Sequence, residues 1–235
     1  DLKSVFVPDY AGIFVANSST QAGFDVKLSD VSDNGSMMGK KINGFTVHSN
    51  GRLGQSKFLE DCAQFTEHHS KNLISCYSFA STKHLTTAGQ GGAICCDDED
   101  IFNLLSSLKD LGRTDRQHLR PVSDNFETWG TNSKFTEVQA AFGLAQLQKL
   151  PNRIKRLQKI YQIYKSELKS VKGITFFDEA PKWYVDILVE NPEKFVALGK
   201  EKNIQMRRFY KPLHKQPLYK NHEKSKRFDS SNYLY

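Results

Sequence analysis

Lys83 has an uncommon setting for a lysine. The stretch ISCYSFASTKHLTTAGQGG, residues 74–92, places it between a short apolar run and a segment of Thr, Gly and Gln, away from the charged helix faces where lysines collect. A primary amine partly withdrawn from water gives up its proton more readily and can act as a nucleophile or a proton carrier. Two other groups can reach the same place. Asp61 closes the run KFLED, and Ser78 closes ISCYS five residues before Lys83. Open α/β sheets bind ligands in the crevice outside the carboxyl ends of their strands. An acid, a hydroxyl and an amine can thus converge on one rim. Singly, each has an ordinary structural reading: Asp61 as a loop cap, Ser78 as a partner for a backbone group, Lys83 as a surface amine. Only the combination points to chemistry.

The elements that would carry these residues are legible as short apolar runs. SVFVP and DVKLSDV read as strands separated by a modest stretch, and NGFTVHS and KFLED read as two more, divided by the turn-rich SNGRLGQ. ISCYSF and GGAICCDD complete the set, and their continuous apolar character suits strands covered on both faces. Together they predict an α/β sheet. DEDIFNLLSSLKDLG opens with acids, as helix N-termini favour, and closes on Gly112, a candidate C-cap. Thr136 and Gln139 form a capping-box pattern before a helix that puts Val138, Ala141, Leu144, Ala145 and Gln148 on one face. Pro151 breaks that helix or begins the next, whose apolar stripe holds Ile154, Leu157, Tyr161, Tyr164, Leu168 and Val171. Such a stripe reads as core packing. Beyond Gly173 the runs ITFF, WYVDILVE, NPEKFVALGKEKN and IQMRRFY predict a β–β–α–β unit. The expected division is 1–150 and 151–235, a large domain followed by a small α+β one.

Bulk properties narrow the function classes. The 235 residues suffice for a substantial core, and no run approaches the ~18 to 20 apolar residues of a membrane span. The start, DLKSVFVP, lacks a basic segment leading into an apolar one, so a cytoplasmic protein is expected. The four cysteines include the adjacent pair Cys95 and Cys96, which cannot make the spaced clamp of a zinc site; reduced, mostly buried thiols and no metal are expected. The net charge of +7 would suit nucleic acid, but much of it lies in 153–172 and 211–227, where a charge run reads as a solvated face. No aromatic residues interleave with it as a base-stacking platform requires, so no nucleic-acid partner is expected.

The motifs carry a resemblance. DCAQ, YSFASTKHLTTAGQGGAI, GTNSKFTEVQAAFGLAQLQKL and FYKPLHKQPLY follow the order of signature blocks in the DegT/DnrJ/EryC1/StrS sugar aminotransferases, and the sequence resembles that family over nearly its whole length. The resemblance implies fold type I, an α/β architecture with a mixed, mostly parallel sheet flanked by helices and a smaller C-terminal α+β domain. It also implies pyridoxal phosphate as cofactor. Lys83 matches the lysine that holds it as a Schiff base and later shuttles a proton. Asp61 matches the carboxylate facing the ring nitrogen, Gln64 an amide near the ring's phenolic oxygen, and Ser78 a phosphate-binding hydroxyl. Asn132 matches an asparagine reaching the phosphate of a neighbouring subunit, which implies a homodimer. The implied substrates are glutamate and a nucleotide-linked deoxysugar. Lysine at position 83, where related dehydratases carry histidine, implies amino transfer.

The sequence also departs from the family pattern. The family's phosphate-binding turn and helix precede the strand matching SVFVP, and on this resemblance those donors must be supplied from elsewhere. The aromatic residue that stacks on the cofactor ring in many members falls at Gly12, with Tyr10 and Phe14 nearby as substitutes or core residues. The stretch from Asp30 to Asp61 is compressed, and the C-terminal end is short of the family's last helix and strand pair. Lys134, His214 and Lys215 lie in matching blocks, each with an equal or better structural reading. These departures leave an alternative open: a catalytically impaired family remnant serving as a cofactor-binding or subunit-interaction protein.

Overall fold

The structure is a computed structural model that describes residues 4–32, 45–54, 59–66, 73–114, 126–178 and 180–220. Residues 33–44, in the compressed stretch, and the end of the basic tail lie outside the described residues.

The first unit is strand, helix, strand. β1 (Ser4–Pro8) and β2 (Asp25–Ser29) pair in parallel from Ser4 opposite Asp25 to Pro8 opposite Ser29, and α1 (Ile13–Gln21) connects them. The inward residues Val15, Ala16 and Ser19 of α1 are buried, and the Ser19 hydroxyl donates back to the Val15 carbonyl, so no polar group is stranded. β3 (Phe45–Val47), β4 (Leu59–Asp61) and β5 (Ile74–Ser78) run parallel, with Val47, Asp61 and Cys76 in register, and β6 (Gly92–Cys95) closes this sheet antiparallel to β5. β1 lies beside β3. The carboxyl ends of β3, β4 and β5 therefore share one rim.

Val7, Val15, Val26, Leu28, Val47 and Leu213 form the main core. Burying each such side chain contributes roughly 1.5–3 kcal/mol. Leu213 comes from far along the chain, and its neighbourhood is fastened to the end of β1: Leu213 N donates to Asp9 O (2.8 Å), His214 N to Asp9 Oδ1 (2.8 Å), and His214 Nδ1 lies 2.6 Å from Asp9 Oδ2. Both side chains are buried, so His214 serves as a structural tie. A second cluster joins Tyr10 and Val31 to Phe177, Leu188 and Phe209.

The helices follow their local signals. Asp98 caps α2 (Glu99–Leu108) by accepting from Ile101 N, and Thr136 with Gln139 makes a reciprocal capping box on α3 (Glu137–Leu147). Pro151 lies in the first turn of α4 (Leu150–Leu168), where its missing N–H costs nothing. Asn191 caps α5 (Pro192–Glu201). β7 (Ile174–Thr175) and β8 (Leu188–Val189) form a short antiparallel pair.

Several expectations are corrected. IQMRRFY forms no strand: Ile204 N turns back to close α5 on Gly199 O, and Phe209 and Tyr210 are drawn into aromatic contacts with Tyr10 and Phe14. Gly112 sits four residues beyond the last residue of α2, at φ +92°, because an added Cβ would meet Thr128 O. β6 is an edge strand with Ile94 exposed, not one covered on both faces. The apolar face of α3 buries nothing, since Val138 is 79% and Leu144 64% exposed. On α4 only Leu150, Ile154 and Tyr161 are buried, while Tyr164, and Val171 just beyond the helix, are exposed. Of the four free cysteines only Cys62 is buried; Cys76 and Cys96 are half-buried and Cys95 is exposed. No helix of the described residues is long and apolar enough to cross a membrane.

Candidate active site

Asp61 ends β4, and its Oδ1 accepts from Ala63 N at 2.8 Å. Burial raises its pKa, against the opposing pull of the Ala63 N–H and the Lys83 charge. Lys83 lies in the loop between β5 and β6, in a tight turn closed by its own N–H on Ala80 O at 2.9 Å. Burial lowers its pKa, and the Asp61 charge works the other way. The two groups thus stand within reach of each other's field on the sheet rim. Each is made reluctant to ionise by its surroundings and is partly rescued by the other. An amine so placed is a better nucleophile at neutral pH than a surface lysine.

The Lys83 Nζ has no hydrogen-bond partner among the described residues. It rests instead on the face of Trp183, 3.9 Å from the ring centroid. Arg153 of α4 fixes the adjoining loop by donating to His84 O at 2.5 Å, an exception to the solvated face expected for the basic residues of that helix.

Gln64 is buried, and its Oε1 accepts from Asn50 N at 2.7 Å. Among the described residues the Ser78 hydroxyl, at the end of β5, takes only a long bond from Ala80 N at 3.4 Å. Asp61, Gln64, Ser78 and Lys83 all lie on or just beyond the carboxyl ends of β4 and β5. Asn132 does not join them. It is exposed, in a bridge with Asp110 just past the end of α2, and makes no described contact with the group. Lys134 is occupied by an ion pair with Asp110 at 2.5 Å.

Asn50 emerges as a hub that sequence reasoning took for part of a turn. Its φ of +53° and that of Gly51 at +77° follow the Asn-Gly turn signal. Its Oδ1 accepts from Trp183 N (3.1 Å) and Tyr184 N (2.8 Å), its Nδ2 donates to Tyr184 O (2.9 Å), and its carbonyl accepts from Lys182 N (2.7 Å). One fully buried side chain therefore holds the segment carrying Trp183 against the loop that orients Gln64. Nothing in the local sequence pairs residue 50 with residues 182–184.

Position 12 is equally informative. A Cβ built on Gly12 would lie 2.2 Å from Phe14 ring atoms, so the Phe14 ring occupies the space that a side chain at 12 would enter. That ring is 47% exposed and meets Tyr210 edge-on at 6.1 Å. Tyr10, the other candidate substitute, is a core residue.

Behind Asp61 lies a buried polar group. His48 Nε2 is 2.9 Å from Glu60 Oε2, and the Ser75 hydroxyl donates to Glu60 Oε1. The ligand atoms of His48, Glu60 and Cys62 fall within 4.8 Å of one another, a spacing that invites a metal. The hydrogen bonding argues otherwise. His48 Nδ1 accepts from Gly54 N at 3.0 Å, so the ring proton sits on Nε2 and points at Glu60. Ligation through Nε2 would move that proton to Nδ1, against the Gly54 N–H. Burial first, then Glu60, also push the Cys62 thiol far up from its ordinary value, away from the thiolate a metal requires.

Fold and rim together define an α/β architecture with an acid and an amine at the carboxyl edge of its sheet. Residues 55–235 match the DegT/DnrJ/EryC1/StrS aminotransferase family, and the chain belongs to that family. It is 29% identical over 177 residues to GDP-perosamine synthase of Escherichia coli O157:H7, covering 68% of this chain and 46% of that protein. It is 30% identical over 150 residues to dTDP-4-amino-4,6-dideoxy-D-glucose transaminase of Shigella dysenteriae, covering 60% and 39%. The chain thus spans less than half the length of these relatives. A solved DegT DnrJ EryC1 StrS aminotransferase from Brucella abortus shares the fold with a TM-score of 0.82 over 98% of this chain and 71% of that one, at 21% identity.

Proposed function

We propose that this chain binds pyridoxal phosphate and transfers an amino group from glutamate to a keto carbon of a nucleotide-linked deoxysugar, as a homodimer in the cytoplasm. The observation that carries this reading is that Asp61 and Lys83 stand within each other's field at the sheet rim, with the amine bound by no hydrogen bond among the described residues. Pyridoxal phosphate, when bound, supplies an aldehyde for an amine to capture and a ring that withdraws electrons from the reacting carbon.

The residues present fit that group. Lys83 would hold the aldehyde carbon, and its depressed proton affinity suits it to act as base and then acid on the substrate carbon. Asp61 would face the ring nitrogen; a carboxylate already drawn toward its proton by burial shares one readily with a pyridine. Gln64, with its oxygen tied to Asn50 N, is left with its amide N–H groups to offer the phenolic oxygen. Ser78 would take the phosphate, and Asn132 the phosphate of a second copy. The exposed α3 face next to Asn132 in sequence suits that copy as its cover. The division at residue 151 goes with this reading.

The alternative of an impaired remnant rested partly on the glycine at position 12. The Phe14 ring in that space supplies an aromatic face there and favours the catalytic reading. The experiment is reductive trapping: protein incubated with pyridoxal phosphate, treated with borohydride and digested should carry the label on the Lys83 peptide, and glutamate should convert the bound cofactor to its amine form. Label spread over surface lysines, or no conversion by glutamate, overturns the proposal.

A further inference from the structure

We propose that the indole face of Trp183 is the seat of the Lys83 amine whenever that amine is not engaged by a partner, which makes Trp183 a positioning residue for Lys83. The purpose of such a seat rests on the amino-transfer reading; its existence does not.

The geometry grips Lys83 at two points. The Trp183 Nε1–H donates to Thr82 O at 3.1 Å, holding the backbone just before Lys83, while the ring face takes the Nζ at 3.9 Å from its centroid. The indole cannot turn away. Tyr184 stacks on it at 4.1 Å and 29°, and the Trp183 N–H is fixed on Asn50 Oδ1. Trp183 is 7% exposed, so the contact is largely withdrawn from water, the condition under which an ammonium over an aromatic face gains most.

The consequence is electrostatic. A cation over a ring face is favoured over its neutral form, so the indole works with Asp61 and against burial in setting how tightly the amine keeps its proton. The other charged groups around the amine act differently. His84 follows it in the chain, Lys182 adjoins Trp183 in the same cleft, and Arg153 donates to the His84 carbonyl and to Gln146 Oε1. None of them supplies a negative charge. Among the described residues, Trp183 and Asp61 are thus the two features that favour the protonated amine, and they reach it from different parts of the chain. An amine released from a covalent partner would return to the indole and take up its proton in a fixed place, ready to be donated.

The test uses the cofactor-free protein. Trace acylation across a pH series, read by mass spectrometry on the Lys83 peptide, gives both a titration midpoint and a high-pH plateau that reports access alone. In Trp183→Leu the midpoint should fall, and labelling below it should rise about three- to tenfold once corrected for the plateau. Trp183→Phe, which keeps an aromatic face, should restore most of the midpoint. A second measurement leaves position 183 intact. Trp129 is 95% exposed and is the other tryptophan, so Trp129→Phe isolates the Trp183 emission, which should show a step at the Lys83 midpoint that vanishes on adding Lys83→Met. Equal midpoints in wild type and Trp183→Leu, or an emission step that survives Lys83→Met, overturn the proposal. Failure of cofactor trapping in wild type would instead sink the amino-transfer reading and leave these measurements standing.

Discussion

Arg52 grips Asp186 with both arms of its guanidinium, Nη1 at 2.6 Å from Oδ2 and Nη2 at 2.7 Å from Oδ1. Arg52 is almost wholly buried, and its guanidinium carbon also lies 4.2 Å from the centroid of the Phe177 ring. The pair fastens the loop after β3 to the segment that carries Trp183. Asp186→Asn leaves a buried cation with half its partner, and such losses cost about 3–5 kcal/mol for fully buried pairs. Asp186 keeps 18% exposure, so the lower end is expected in equilibrium urea unfolding. Arg52→Lys should lose nearly as much, because an ammonium cannot reproduce the two-pronged fit.

Asp61 makes a prediction about pH. Its folded pKa is raised above the ordinary 3.8, so the fold favours the protonated acid, and the ionised form costs stability. That contribution is fully favourable below the ordinary value and is lost as pH rises through the folded one. Asp61→Asn should therefore melt higher than wild type at pH 7 in the cofactor-free protein, with the gap closing as pH falls below about 4. Thermal unfolding across pH 3–8 checks it; a variant less stable than wild type at pH 7 contradicts it.

Gly12 and Phe14 can be exchanged. Gly12→Ala drives a methyl into the Phe14 ring and should cost about 1–3 kcal/mol unless the ring swings out. Gly12→Phe with Phe14→Ala would restore an aromatic face from the other position. The double variant should bind pyridoxal phosphate, measured by equilibrium dialysis, more tightly than Phe14→Ala alone.

The exposed face of α3 predicts an assembly. Val138 and Leu144 are largely open to water, and a second copy is the cover proposed above. Leu144→Lys should shift sedimentation from dimer toward monomer, and reductive trapping on Lys83 should weaken with it if Asn132 serves the neighbouring site.

Much of the rim was legible because its signals are local. Strand ends at Asp61 and Ser78 follow from short apolar runs, and the Thr136 box from three-residue spacing. What escaped reading is what depends on distant parts of the chain meeting. Trp183 looks like one more apolar residue in WYVDILVE, and only the fold sets it under Lys83. The tie between Asn50 and residues 182–184 leaves no periodicity in either segment. IQMRRFY has the composition of a strand, yet its aromatics are claimed by Tyr10 and Phe14 before any ladder can form. Spacing puts Val138, Ala141, Leu144 and Ala145 of α3 on one face, and periodicity cannot say what covers that face.

The Asn50–Gly51 peptide carries a hidden liability. In an unfolded chain a glycine leaves its nitrogen unhindered to attack the preceding asparagine's side-chain carbonyl, expelling ammonia and closing a succinimide that water opens to aspartate or isoaspartate. Here Gly51 N is committed to His48 O at 3.0 Å, and the Asn50 amide is clamped between Trp183 and Tyr184. The native contacts act as a chemical preservative. Material held in denaturant should age at Asn50 as at the other two Asn-Gly pairs of the sequence, Asn34-Gly35 and Asn43-Gly44, and the fraction aged at Asn50 should no longer dock the Trp183 segment, turning reversible unfolding into lasting loss.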